Sequence, residues 1–295
     1  MTDTDNAALT GRVVVGFDGS AHAARALDVA IDEALRRETD LEILCGWPWD
    51  RHSPSGHGIR DEAPRLYEVS RHVTDRAAER ARERAPGLHV TPHLTSEAAA
   101  TALVRAGRTA ALTVIGTRGH GGFTGLLLGS VSLRVAAHCT SPLLVLRGDD
   151  RAPRGEVLVG VASDADTDAV RFGFEEARRR GAALRLLHAW QYPAAPVLPA
   201  PVAMPRGNLL QLQDSEESVP RFAASAFRET YPDVEVREEA VLESPEWALL
   251  EATRDVDVVV LAAHRGTRAL GRQLGPVTHA LLHHAHCPVL LVPVQ

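Results

Sequence analysis

Apolar residues in this chain fall into short continuous runs separated by stretches of helical spacing. In RVVVGFDGS, Arg12 to Ser20, the run Val13 to Val15 predicts a short buried strand. Gly16 to Ser20 turns the chain, and Ser20 suits a helix N-cap. Ala26, Leu27, Ala30 and Ala34 then recur on one face of a helix over residues 21–37. LEILCGW, Leu41 to Trp47, predicts a second strand. A polar loop, a helix over 65–84, a strand near 88–93 and a helix over 96–108 follow. ALTVIG, Ala111 to Gly116, predicts the next strand. After it come a glycine-rich stretch, a helix ending near His138, and the strand-like SPLLVLR.

The same text then recurs. EVLVGVASD repeats RVVVGFDGS, DVVVLAAHRG repeats LTVIGTRG, and LGPVTHALLHHAHCPVLLVPV repeats LGSVSLRVAAHCTSPLLVLR. The offset stays between about 144 and 147 residues, the signature of a duplicated domain rather than a short repeat. The charged stretch RGDDRAPRG, 147–155, reads as a linker, so the expected domains are 1–148 and 154–295. Strands and helices alternate within each half. That order predicts an α/β fold, with two doubly wound parallel sheets carrying helices on both faces. Parallel strands covered on both faces should be apolar throughout, as VVV, LTVI and VVVL are. Ligands of such sheets lie beyond the carboxyl ends of the strands, at the point where the strand order reverses. Gly16–Ser20 and Gly116–Gly119 each follow a strand directly and belong on that edge.

Composition narrows the function. A net charge of -6 argues against a general affinity for nucleic acid. Three separated cysteines make no disulfide framework or CxxC pair. No apolar run approaches a membrane span, and MTDTDNAALT lacks the regions of a signal peptide, so a cytosolic protein is expected. All 32 basic residues are arginine, which excludes a GxxxxGK[ST] phosphate loop. The turn GFDGS also lacks the GxGxxG fingerprint of dinucleotide folds.

GTRGHGGFTGLLLGSV, Gly116 to Val131, holds six glycines in sixteen residues and leads into a helix. A helix start offers free N–H groups and the positive end of a dipole, which suit phosphate. Ser130 there can cap the helix or donate its hydroxyl to a phosphate. Gly116 and Gly119 leave room for backbone approach, Arg118 adds charge, and His120 is a weaker contributor. A turn that merely joins strand to helix would also be glycine-rich.

Gly116-x-x-Gly119, nine residues and Gly129-Ser130 match the G-x2-G-x9-G-[S/T] pattern of ATP-binding universal stress proteins. VVVGFDGS, VIGTRGHGGFTGLLLGSVS and SPLLVLR resemble the same family, and the resemblance covers both halves as a tandem. It implies a five-stranded parallel sheet in each half and an ATP site, with or without Mg2+. It places Asp18 near the adenosine, beside the backbone of Gly16 and Phe17, with Gly46 a neighbour of the base. It assigns the phosphates to Gly116, Gly119, Gly129, Ser130 and the N–H of Val131. The implied function is a cytosolic, ATP-binding stress-response regulator that assembles as a homodimer and is not an enzyme beyond weak ATPase activity. A nucleotidyl-transfer enzyme or ATPase on a related fold, and a nucleotide-free partner-binding scaffold, are the alternatives. No membrane and no nucleic acid is expected as partner; a protein partner is not legible.

The second half departs from this pattern. Asp18 corresponds to Ala162, Gly116 to Ala263 and Ser130 to Pro276, and eight residues rather than nine separate Gly266 from Gly275. Proline has neither a hydroxyl nor an N–H for a phosphate. The site is therefore expected to be lost or weakened there, unless Asp164 replaces Asp18. His279 and His283 have i, i+4 spacing without a third metal partner, and read as surface residues. The proline-rich 191–207 reads as a surface loop, and Trp47 and Trp190 as matched packing residues.

Overall fold

A computed structural model of the chain describes residues 11–46, 63–119, 128–149, 151–192, 206–264, 266–268 and 271–294. His120 and half of the glycine-rich stretch, Trp47 and most of the proline-rich 191–207 lie outside the described residues. In chain order the elements are β1 Val13–Gly16, α1 Ala21–Arg36, β2 Leu41–Gly46, α2 Ala63–Arg84, β3 Val90–Thr95, α3 Ala99–Gly107, β4 Leu112–Ile115, α4 Ser130–His138 and β5 Leu143–Val145. Then follow β6 Glu156–Gly160, α5 Thr167–Arg180, β7 Ala183–Trp190, α6 Arg206–Ser225, β8 Val236–Leu242, α7 Pro245–Ala252 and β9 Val258–Ala263. The chain closes with β10 Gly266–Arg268, β11 Gly271–Gln273, α8 Pro276–His284 and β12 Val289–Pro293. Two compact units result: Met1–Arg147 with Arg265–Leu274, and Gly148–His264 with Gly275–Gln295.

In the first unit the strand order is β3-β2-β1-β4-β5, and these pairs are parallel. Val13 to Val15 are fully buried because α1 and α2 cover one face of the sheet while α3 and α4 cover the other. The chain leaves β1 toward β2 and β3, then returns to lay β4 on the opposite side of β1. The order therefore reverses between β1 and β4, and in a sheet of this order the ligand crevice lies beyond their carboxyl ends. The second unit repeats the plan with the order β12-β9-β6-β7-β8, again in parallel register.

The repeat extends to one polar detail of the core. Glu33 on α1 is fully buried and is held by Arg36 and Arg37; Glu176 on α5 is fully buried and is held by Arg179 and Arg180. A buried carboxylate is tolerated because it is paired and hydrogen-bonded within its own helix end.

The antiparallel pair β10–β11 is an addition that the periodicity of the sequence does not announce. It occupies the stretch of the second half that corresponds in sequence to the glycine-rich stretch of the first. Trp190 is buried and meets Tyr192 edge to face, as a packing residue should. His279 and His284 face solvent, but His283 is half-buried and stacks on His279 with centroids 4.4 Å apart.

Candidate functional site

The crevice of the first unit is built from the two turns that follow β1 and β4. After β1, Phe17 donates its N–H to Leu44 O at 2.9 Å, which carries the sheet one residue past the strand. Ser20 caps α1: its Oγ accepts the Ala23 N–H at 3.2 Å. Asp18 supports that cap, with Oδ1 accepting the Ser20 N–H at 3.0 Å. One carboxylate oxygen is thus spent on the turn. The other reaches across to the end of β4, where a Cβ built on Gly119 would lie 2.1 Å from Asp18 Oδ2. Asp18 therefore spans the crevice, and Gly119 makes the room for it.

Gly116 makes a close contact within the protein. A Cβ there would meet the carbonyl oxygen of His22 at 2.9 Å. Its missing side chain lets the first turn of α1 pack on the end of β4, so the space is filled by the protein's own backbone. Gly46 is similar, since a Cβ on it would lie 2.6 Å from Cα of Ala99 at the start of α3. Gly16 is packed by Leu103 and Ile115, with a built Cβ 3.0 Å from Leu103. These glycines bring helices close to strand ends.

The start of α4 is the open part. Gly129, not Ser130, is the N-cap, at φ -77 and ψ 158, and no side chain caps the helix. Gly129 donates its N–H to Thr117 O at 2.7 Å, and Ser132 Oγ donates to Gly116 O at 2.9 Å. The helix start is thereby clamped to the end of β4. Ser130 opens the helix and is exposed, and Val131 is 39 % exposed. Among the described residues no side chain takes these first-turn N–H groups, and a helix start of this kind suits an anionic acceptor.

Charge gathers on the same edge. Arg118 follows β4 and is exposed, Arg147 follows β5 and is half-buried, and His22 and Arg25 lie one turn apart at the start of α1. Burial holds the His22 imidazole below the ordinary histidine range; Arg118, Arg25 and Arg147 add to this, and Asp18 opposes it. Burial and the neighbouring Arg118 also lower Arg147. Burial raises the Cys45 thiol at the end of β2, against a hydrogen bond with Thr74. It stays protonated and offers no nucleophile here.

The structure thus brings Gly16, Phe17, Asp18, Gly116, Arg118, Gly119, Gly129, Ser130 and Val131 to the edge where β1 and β4 end, with Gly46 one strand away. His22, Arg25, Arg147 and Ser132 join them, four residues that lie outside the motif pattern. Arg147 had a usable signal: it is the last residue of SPLLVLR, directly beyond a strand.

The matching crevice of the second unit is bridged internally. Asp164 is exposed and only opens a 3₁₀ turn, Asp164–Asp166. Asp166 instead turns inward, with 2 % exposure. Its carboxylate accepts the N–H of Ala162 at 2.6 Å and of Ser163 at 3.3 Å, and pairs with His264 Nε2 beyond β9. Beside it His188 joins Val161 O at 2.8 Å and Glu216 of α6 at 2.7 Å. At α8 the N-cap is Gly275 and Pro276 takes the first helical position, so that start lacks one N–H.

The model of the Universal stress protein family matches the chain twice, over residues 10–147 and 154–293. A universal stress protein of Mycobacterium tuberculosis is 28 % identical over 96 % of this chain and 95 % of its own length. One of Mycolicibacterium smegmatis is 28 % identical over 95 % of this chain and 96 % of its own. Among solved structures, a universal stress protein from Archaeoglobus fulgidus is 16 % identical, superimposes with a TM-score of 0.65 and covers 97 % of both chains.

Proposed function

The chain belongs to the universal stress protein family, and on that premise we propose that its first unit holds ATP as a regulatory ligand, at the crevice between β1 and β4. The observation that carries this reading is the start of α4. It is exposed, has no capping side chain, is clamped to β4 by Gly129 and Ser132, and stands on the edge that carries Arg118 and Arg147. The N–H groups of Ser130 and Val131, the Ser130 hydroxyl and Arg118 would take the phosphates. Asp18 would take the ribose hydroxyls, and Phe17 with Gly46 the neighbourhood of the base. Among the described residues no group of three or more His, Cys, Asp or Glu is placed to hold a metal ion. A Mg2+ ion accompanying the nucleotide would rest on phosphate oxygens, with Asp18 at the same edge.

Nucleotide is held in this reading, not turned over. Phosphoryl transfer needs a group that positions or activates the nucleophile. Asp18, the carboxylate of this edge, is already engaged with the Ser20 N–H. Calorimetry on ligand-stripped protein should give about one ATP per chain. Two equal sites, or no heat, would reject the proposal. Phosphate release above a buffer blank that disappears in Gly119→Ala would favour the ATPase alternative. Location in the cytosol and a role under stress are part of the same proposal. No helix among the described residues is long and apolar enough to cross a membrane.

Assembly as a homodimer belongs to the same proposal. Light scattering at micromolar concentration should give twice the mass of one chain, 2 × 31.7 kDa, about 63 kDa. A mass near 31.7 kDa would reject the dimer.

A further inference from the structure

Two histidine–carboxylate pairs meet near the carboxyl edge of the second sheet, and neither has a counterpart in the first. Asp166 and His264 stand where the first half has His22 and Thr117, and His188 stands where it has Cys45. Asp166 Oδ2 accepts the N–H groups of Ala162 and Ser163, while Oδ1 pairs with His264 Nε2. The peptide group whose N–H belongs to Ala162 has its C=O on Val161. That oxygen meets His188 Nδ1 at 2.8 Å, and His188 Nε2 meets Glu216 at 2.7 Å. One peptide group thus joins the two pairs, and each bond polarises the next. The order β12-β9-β6-β7-β8 reverses between β6 and β9, so Asp166 and His264 span the place where such sheets take their ligands. We propose that His264 is a phosphoryl-acceptor site, taking a phosphoryl group on Nδ1 from an acyl phosphate.

The tautomer follows from the bonds. A carboxylate oxygen only accepts, so Nε2 carries hydrogen and the neutral ring keeps its lone pair on Nδ1. Nδ1 has no hydrogen-bond partner among the described residues. The His264 side chain is 52 % exposed, so a reagent reaches it, whereas its Asp166 partner is buried. A buried carboxylate that fixes the ring and balances the charge it gains is the arrangement that activates an imidazole. Nδ1 attacks phosphorus, and an N–P bond forms as the P–O bond to the acyl group breaks. The carboxylate product leaves with the electron pair. The Nε2 hydrogen stays in place, and Asp166 balances the positive ring.

The edge favours a small donor. Ala162 and Pro276 stand where the first half has Asp18 and Ser130, so the carboxylate and hydroxyl offered to a nucleotide there are missing. What remains is the start of α8, with Gly275 as N-cap and no capping side chain, which suits the oxygens of a single phosphoryl group. The chain has no lysine, so an acyl phosphate finds no side-chain amine to acylate instead. The site belongs to the second unit and does not rest on nucleotide binding in the first.

The full chain is incubated with acetyl phosphate, the label is located by mass spectrometry, and its isomer is read by phosphorus NMR at alkaline pH. An acid-labile, alkali-stable phosphoryl group is expected on His264, as the Nδ1 isomer. It should form about tenfold faster than any label on the solvent-facing His279 or His284, and be absent from that position's peptide in His264→Gln. Asp166→Asn should slow it about tenfold and move part of the label to Nε2, a change of isomer that a loss of stability does not produce. The isomer is read in the unaltered chain, so the test stands if either variant misfolds. A label on Nε2 of the unaltered chain, equal labelling of His279 and His284, or no phosphohistidine at all overturns the inference. So does an Nδ1 label that forms as fast in Asp166→Asn.

Discussion

Gly129→Asp should lower ATP affinity about a hundredfold while leaving the protein as stable as before, or slightly more so. The two effects have opposite signs because they act on the same N–H groups. Gly129 is the N-cap of α4 in an extended conformation that any residue adopts, φ -77 and ψ 158. Aspartate is a better cap than glycine, by a few tenths of a kcal/mol, and its charge at a helix start adds about 0.3–1 kcal/mol. A Cβ there would lie 3.3 Å from Thr117 O, a contact that asks only for a small adjustment. The new carboxylate would accept the N–H groups that the proposal gives to phosphate. It would also stand about 5 Å from a phosphate charge, where repulsion at a near-surface dielectric is about 3 kcal/mol. Gly129→Asn separates the terms: it caps in the same way without the charge, and should lose about tenfold less affinity than the aspartate variant. Calorimetry and a thermal melt on both variants decide the matter. An aspartate variant within threefold of the parent would mean that the phosphates do not sit on α4.

How much of this was legible in the sequence depended on whether the signal was local. The strands β1, β2 and β4 and the cap Ser20 were readable, because an apolar run and a capping hydroxyl act within a few residues. The hydropathy pattern sets the third strand near 88–93, two residues ahead of the observed Val90–Thr95. Leu88 is buried, but in a turn, where its N–H donates to Ala85 O at 2.9 Å. An apolar turn residue and a strand residue look alike in a hydropathy pattern. The same pattern starts the following helix at Ser96, but it begins at Ala99, because the Glu97 N–H is held by Thr95 Oγ1 in a turn instead. The glycines were legible as a motif, yet the reason for Gly116 and Gly119 was not. Their neighbours, the His22 backbone and the Asp18 carboxylate, lie about a hundred residues away in sequence. The cationic edge was hidden for the same cause. Nothing joins Arg147 to His22 until the order β3-β2-β1-β4-β5 sets β5 beside β4.

The largest effect on stability is expected in the second unit, from Asp166→Ala. The aligned position of Asp18 is Ala162, and the carboxylate that fills its place comes from four residues later. Asp166 binds two backbone N–H groups of the β6–α5 turn and draws in His264, so it ties the end of β6 to the end of β9. Alanine leaves those donors without their acceptor beneath a side chain that was 2 % exposed. Hydrogen bonds to a charged group contribute about 1.5–3 kcal/mol each, but these donors sit near solvent and recover part of it, so a loss of about 3 kcal/mol is expected. For a unit of this size that is about 10 °C in midpoint, read as a downward shift of one calorimetric transition. Asp166→Asn should lose less, since its oxygen can still accept one of the N–H groups. Opening the bridge should not create a second ATP site. Pro276 still withholds an N–H and a hydroxyl at α8, and Ala162 still offers no carboxylate. A shift below 3 °C would show that the bridge is incidental to the fold. A second equivalent of ATP in the variant would show that the Asp166–His264 bridge, and not the altered motif, keeps that half empty.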